Sequence, residues 1–370
     1  MKVGILTFHR ADNYGAVLQT YALYAQCRAM GYDVEVIDYR CDAIERSYPP
    51  IRFPKLRKNM YQWCIDAINY MRYGNAWKDK AGKFDLFRAL FQMSSSYYDT
   101  ASKNKVEKEF DYILTGSDQI WSVDTLNKKI DYWYCYKKES SYPVKVVSYA
   151  ASAGSLSRFK ETFCEFEPVL SEYDALSVRE DGIQGFLEEK LQRKVHTVVD
   201  PTLLVDKQLW LQLLEDSANR SDNYLVYYDV AQNSLSRKIA KAIANYNQYS
   251  VVEFNQIKSP THKTEHLYDA GPIDFLNSVY NARCVVTSSF HATVFSILFH
   301  KKFIAVLHPV TGERIQSLLS MLGLEDRIIY EYKNNVTELM NLPIDYASVD
   351  MKLSKLREES IDYLKTALSL

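Results

Sequence analysis

No apolar run in this chain of 370 residues approaches the roughly 20 needed for a membrane-crossing helix, which argues against a protein anchored by apolar spans. No sign of charge dominates. The 45 lysines and arginines meet 46 aspartates and glutamates, and neither half carries a long run of one sign, so a nucleic-acid surface or an acidic tail is not expected. Cysteine is sparse: Cys27, Cys41, Cys64, Cys135, Cys164 and Cys284 are scattered without CxxC spacing, as in a cytosolic protein with reduced thiols. The sequence contains no GxxxxGK[ST], HExxH or GxSxG, which disfavours P-loop, zincin and α/β-hydrolase chemistry. His262 and His266 stand four apart, but Thr261 to Tyr268 reads as a polar loop without further ligands, so no metal site is expected.

What the chain does have is rings and a rhythm. Its 29 Tyr, 16 Phe and 5 Trp supply flat amphipathic surfaces suited to a core or to stacking on sugars. Met1-Lys2-Val3-Gly4-Ile5-Leu6 reads as a strand rather than a signal peptide, so a cytoplasmic protein is expected. Strand, helix and strand follow at Lys2–Phe8, Ala16–Ala25 and Asp33–Tyr39, a βαβ unit. Short runs rich in Val, Ile and Tyr recur at Tyr112–Leu114, Val144–Tyr149, Ala175–Val178 and His196–Val199. A second series of strands, Asn223–Tyr228, Val251–Phe254, Cys284–Thr287 and Phe303–Leu307, alternates with helices at Leu235–Asn245, Pro272–Tyr280, Thr293–His300 and Arg314–Leu322. The expected fold class is α/β, with two Rossmann-like domains facing across a cleft, residues 1–205 and 206–350. A helical, aromatic-rich insertion at about 45–95 should cover the sheet or the cleft mouth, and a helix at 351–370 should pack back on the body.

Chemistry gathers at the carboxyl ends of these strands, where open α/β sheets bind ligands. The first strand delivers His9, Arg10, Asn13, Tyr14 and Gly15 at the start of a helix, whose free N–H groups suit an anion. The strand at 112–114 delivers Gly116, Ser117, Asp118 and Gln119, with Trp121 as the floor of a sugar site or as core. Arg179 ends a third strand, where a planar guanidinium matches phosphate or carboxylate. His291 follows Ser289 between the strand 283–286 and an apolar helix, and Arg314 opens the next helix. Each has a structural reading when taken singly, as cap, turn or ion-pair partner. Their convergence across a cleft favours an anionic small molecule.

These residues also carry a resemblance. Gly4-Ile5-Leu6-Thr7-Phe8-His9 with Asn13-Tyr14-Gly15-Ala16-Val17-Leu18-Gln19, Thr115-Gly116-Ser117-Asp118-Gln119-Ile120-Trp121, Ser148-Tyr149-Ala150-Ala151-Ser152, Ser177-Val178-Arg179-Glu180, Asp200-Pro201-Thr202-Leu203-Leu204 and Thr287-Ser288-Ser289-Phe290-His291-Ala292-Thr293 resemble, in order, the polysaccharide pyruvyl transferase family. The resemblance implies a fold like the B-type glycosyltransferases, with no cofactor. It implies transfer of a pyruvyl group from phosphoenolpyruvate to two hydroxyls of a saccharide, free or lipid-linked, giving a cyclic ketal. A lipid-linked acceptor would bring the protein to the inner face of the membrane. In this picture His291 is the acid, Asp118 or His9 the base, and Arg179 with the helix start at Gly15 the donor site. Better-known members place an Arg two residues before the His; Ser289 stands there here, so Arg10 or Arg314 would supply that charge. A helix N-terminus should depress the pKa of His291, and a bound trianion should oppose the shift. The alternatives are a nucleotide-sugar transferase or epimerase on the same scaffold, and a non-catalytic carbohydrate-binding relative.

Overall fold

The computed structural model describes residues 1–47, 60–97, 102–126, 130–139, 141–215, 223–230, 233–254, 261, 263–307, 312–332 and 335–369. Part of the expected insertion (48–59), part of the join between the two series (216–222) and His262 lie outside the described residues.

Two parallel sheets organise the chain. The first contains β1 (Lys2–Leu6), β2 (Asp33–Tyr39), β3 (Met93–Tyr97), β4 (Tyr112–Thr115) and β5 (Lys145–Ser148) in the order β3-β2-β1-β4-β5. A short parallel pair, β6 (Ser177–Val178) and β7 (His196–Thr197), extends it through the bridges Val147–Ala175 and Ala151–Val178. The second contains β8 (Tyr224–Tyr228), β9 (Ser250–Glu253), β10 (Thr264–His266), β11 (Cys284–Thr287), β12 (Lys302–Val306) and β13 (Ile328–Ile329) in the order β10-β9-β8-β11-β12-β13. Strand order reverses beside β1 in one sheet and beside β8 in the other. The crevice outside the carboxyl ends at such a switch point is where this architecture binds ligands.

Burial on both faces explains why the strands read as continuous apolar runs: Val3, Ile5, Val226, Val285 and Phe303 are all inaccessible to solvent. One apolar cluster runs through both halves, from Val3 and Val17 to Phe275, Phe295 and Leu364. The helix Phe290–Leu298 is buried along its whole length, as its apolar circumference requires.

Two long helices tie the halves together. Met60–Arg88 occupies the expected insertion: Arg88 donates to the carbonyls of His9 and Arg10, while Lys83 reaches Asp269 and Asp274 of the other half. Tyr346–Ala367 packs back on both. Its Tyr346 hydroxyl donates to the Lys301 carbonyl, and its Tyr363 hydroxyl donates to the Ser148 carbonyl at 2.8 Å.

Three strands depart from the sequence reading. β3 is the run Met93-Ser94-Ser95-Ser96-Tyr97, too polar to signal a strand; its serines secure it at the sheet edge, Ser94 accepting from the Asp38 N–H and Ser96 donating to the Asp38 carboxylate at 2.6 Å. β10 lies inside the stretch read as a loop and is only three residues long, and β13 only two. Asp200–Leu204 ends the first series as a capped turn of helix, Pro201–Leu204, with Asp200 accepting from the Thr202 N–H.

Candidate active site

The loop after β4 is shaped by backbone. Gly116 has φ +113°, and a Cβ there would lie 2.2 Å from the Tyr149 carbonyl oxygen, so only glycine permits the approach. Asp118 also has positive φ, 72°, which Asp tolerates better than most residues. Its Oδ1 accepts from the Gln119 N–H at 2.9 Å and lies 3.5 Å from Arg179 and 3.6 Å from Arg314. Ser117 is buried behind it, donating to the Ala150 carbonyl and 3.3 Å from Asp200.

Asp200 is the hub. Its Oδ1 accepts from the N–H and hydroxyl of Thr202, its Oδ2 accepts from Arg179 at 2.5 Å, and Oδ1 stands 3.8 Å from His291 Nε2. Burial alone would raise this carboxyl; the facing His291 and Arg179 outweigh it and hold Asp200 below the usual carboxylate range. In the sequence Asp200 stands in a motif, Asp200-Pro201-Thr202-Leu203-Leu204, with nothing that assigns it to the site. The available signal was an aspartate at a strand end before proline, which reads equally as a cap.

His291 arrives from the second half. Ser289 caps the helix Phe290–Leu298, accepting from the Ala292 N–H at 3.4 Å, and this places His291 in the first turn rather than before it. The imidazole lies directly over Gly15, where a Cβ would come within 1.9 Å of Nδ1. Burial depresses its pKa, Asp200 and Asp118 oppose the shift, and Arg179 and Arg314 reinforce it. The direction agrees with the helix-terminus expectation, but desolvation is the leading cause.

Two guanidinium groups complete the cluster. Arg179 and Arg314 sit 5.0 and 5.6 Å from the centre of the Phe290 ring. The Gln119 amide, assigned with its oxygen toward Arg314 because the opposite orientation faces donor to donor, accepts from that guanidinium at 2.5 Å. Burial, with the like charge of Arg179 second, pushes Arg314 down to about 10. Among the described residues, Arg179 Nε, Arg314 Nε and His291 Nε2 are buried without a hydrogen-bond partner. Orphaned buried polar atoms are costly, and these three nitrogens, with Glu180 Oε2 a fourth orphan beside them, mark a candidate ligand site. Glu180 is buried beside them, accepting from Ser152 at 2.5 Å, with its carboxyl raised by burial.

Several expected residues lie elsewhere. His9 is wholly buried with both ring nitrogens engaged, Nδ1 with the Thr7 carbonyl and Nε2 with Asp38 at 2.9 Å, so it is not positioned as a base. Arg10 grips the same Asp38 through Nε and Nη2 at 2.6 and 2.5 Å, so the additional charge beside His291 is Arg314, not Arg10. Tyr14 donates to the Ala270 carbonyl and stacks on Phe275 at 4.8 Å, joining the halves rather than facing the cluster. Asn13 caps its helix, accepting from the Ala16 N–H. Trp121 is core, stacked on Phe159.

Comparison with known proteins follows the same lines. The profile of the polysaccharide pyruvyl transferase family matches residues 13–308. No curated protein matches in sequence. Among solved structures, UDP-GlcNAc 2-epimerase from Methanocaldococcus jannaschii superposes with a TM-score of 0.57 at 10% identity, over 93% of each chain. The UDP-GlcNAc 2-epimerase from Neisseria meningitidis, bound to UDP-GlcNAc, gives 0.51 at 9% identity over 99% of this chain and 94% of its own. These likenesses establish the two-domain B-type glycosyltransferase fold and nothing more. With a family match across most of its length, the chain belongs to the polysaccharide pyruvyl transferase family.

Proposed function

We propose that this protein transfers the pyruvyl group of phosphoenolpyruvate to two hydroxyls of a saccharide, forming a ketal in a cell-surface polysaccharide or its precursor. The observation that carries the reading is the trio of buried, unpartnered nitrogens on Arg179, Arg314 and His291. A small, multiply charged anion with phosphate and carboxylate groups matches two guanidinium groups and an imidazole better than a neutral sugar does.

His291, protonated in the complex, delivers a proton to the methylene carbon of the enol, which becomes a methyl group. One sugar hydroxyl adds to the adjacent carbon, phosphate leaves with the electrons of the C–O bond, and the second hydroxyl closes the ketal. Of the two hydroxyl protons, one restores His291 and the other leaves with phosphate. Arg179 and Arg314 neutralise the departing phosphate. Asp118, the cluster's more exposed carboxylate, takes the first hydroxyl's proton as base and passes it to the departing phosphate.

The two guanidinium charges already face the carboxylates of Asp118 and Asp200. Binding a trianion therefore draws a proton onto His291, as the acid role requires. Thermal unfolding tests the reading. Phosphoenolpyruvate should stabilise the protein while UDP-GlcNAc does not; the reverse would establish a nucleotide-sugar enzyme instead. An oligosaccharide acting where neither does would mark a carbohydrate-binding relative.

A further inference from the structure

The helix Met60–Arg88 presents two faces of different use. One packs inward: the Tyr73 ring lies 4.2 Å from that of Tyr268, the Phe84 ring lies 5.5 Å from that of Tyr14, and Phe87 is buried. The other faces solvent, although its first turns are apolar. Ile68 is 56% exposed, Met71 78%, and Trp63 on the flank 39%. Cys64, Ile68 and Met71 recur at spacings of four and three, so they form one exposed stripe on the side opposite Tyr73 and Phe84. Large apolar side chains gathered on one stripe mark a docking surface, where scattered ones would not.

Charge names the partner. In a chain whose charges balance, the sequence from Arg46 to Lys78 sets seven basic residues, Arg46, Arg52, Lys55, Arg57, Lys58, Arg72 and Lys78, against one acid, Asp66. Tyr48, Phe53, Tyr61 and Trp63 stand among them. Basic side chains and aromatic rings beside an exposed apolar stripe suit the headgroup region of an anionic bilayer, where Trp takes the interface and Lys and Arg meet lipid phosphates. The same excess of one sign would set two copies of this chain against each other. We propose that Trp63, Ile68 and Met71 dock this protein on the surface of an anionic lipid bilayer. The helix lies on the membrane rather than crossing it, since no helix among the described residues is long and apolar enough to span one.

The same helix leads from this surface to the cleft. From Met71 to Phe84 it advances about 20 Å at the usual rise per residue. Phe84 packs on Tyr14, beside Gly15 and the His291 imidazole. A saccharide of a few units whose lipid anchor stays in the bilayer spans that interval. This bearing on the acceptor rests on the pyruvyl-transfer reading; binding to lipid does not.

The test is flotation of the full-length protein with vesicles of phosphatidylcholine alone and of phosphatidylcholine mixed equally with phosphatidylglycerol. The protein should bind the mixed vesicles at least about tenfold more tightly, and raising salt from about 0.05 to about 0.5 M should remove most of that gain. Ile68→Glu combined with Met71→Glu should weaken binding at least about tenfold, whereas Met351→Glu, at a methionine 71% exposed on another helix, should leave it unchanged. All three positions are exposed, so an unchanged Tm reports that the variants are folded. Brominated lipid should quench tryptophan fluorescence in the wild type and less in Trp63→Phe, because Trp121, Trp133 and Trp210 are buried. Failure to bind the mixed vesicles, or equal binding by the double variant, overturns the proposal. So does a dimer that the double variant dissolves, which would make a second copy the occupant. If phosphoenolpyruvate fails to stabilise the wild type, the donor reading falls while the vesicle result stands.

Discussion

Gly15→Ala should disable the protein with little loss of stability, because the three heavy atoms nearest the added methyl all belong to the His291 imidazole. The new Cβ would lie 1.9 Å from His291 Nδ1, 2.4 Å from Cε1 and 2.5 Å from Cγ. That is about 1.5 Å inside ordinary contact, so the ring must move by about that much. His291 and Gly15 come from opposite halves, and the neighbouring Tyr14 is locked between Phe275 and Phe254, so the ring rather than the backbone yields. Overpacking of this kind costs about 1–3 kcal/mol, while alanine in place of glycine within a helix returns about 1. The net loss, about 0–2 kcal/mol, corresponds to a Tm lower by at most about 3 °C for a chain of this length. A displacement of about 1 Å at a reacting group costs on the order of 10²-fold in rate. The assay is kcat/KM for phosphate release from phosphoenolpyruvate with an acceptor present, alongside a calorimetric Tm. Full activity in a folded Gly15→Ala protein would refute the placement of His291 at the reacting centre.

Other consequences follow from the same cluster. His291 sits below its ordinary pKa in the free protein and should rise in the complex, so phosphoenolpyruvate binding should take up about one proton and tighten as pH falls below neutrality. Calorimetry in buffers of different ionisation enthalpy reads that proton, and His291→Gln should abolish the difference. Arg314→Gln should weaken phosphoenolpyruvate binding by about 10–100-fold, the worth of one charge-assisted hydrogen bond, whereas Arg10→Gln should leave it unchanged; equal effects would contradict the assignment. Asp200→Asn leaves Arg179 without its closest carboxylate and should cost about 3–5 kcal/mol, a fall of about 4–6 °C in Tm, because a buried charge loses its partner.

The parallel sheets were legible because buried strands are unmistakably apolar: Cys284–Thr287 and Asp33–Tyr39 appear with the limits their composition suggests. β3 and β10 were not legible, since edge strands of serine or of Thr-Glu-His take their identity from tertiary hydrogen bonds rather than local preference. At the site, Arg179, Asp118 and His291 could be selected as charged or titratable groups at strand ends. What the sequence withheld was partnership. His9 and Arg10 occupy an equally suggestive strand end, and only the position of Asp38, 28 residues beyond Arg10, shows that their polar atoms are already engaged. Asp200 was hidden by the opposite ambiguity, a helix cap that also serves as counter-ion to two halves of a cleft.

The central claim is that Arg179, Arg314 and His291 receive phosphoenolpyruvate as a group, and a crystal structure with that ligand soaked in tests it most directly. The account predicts its phosphate on the two guanidinium groups and His291 within about 3 Å of the enol. A ligand bound elsewhere, with the three nitrogens still unpartnered, would contradict it.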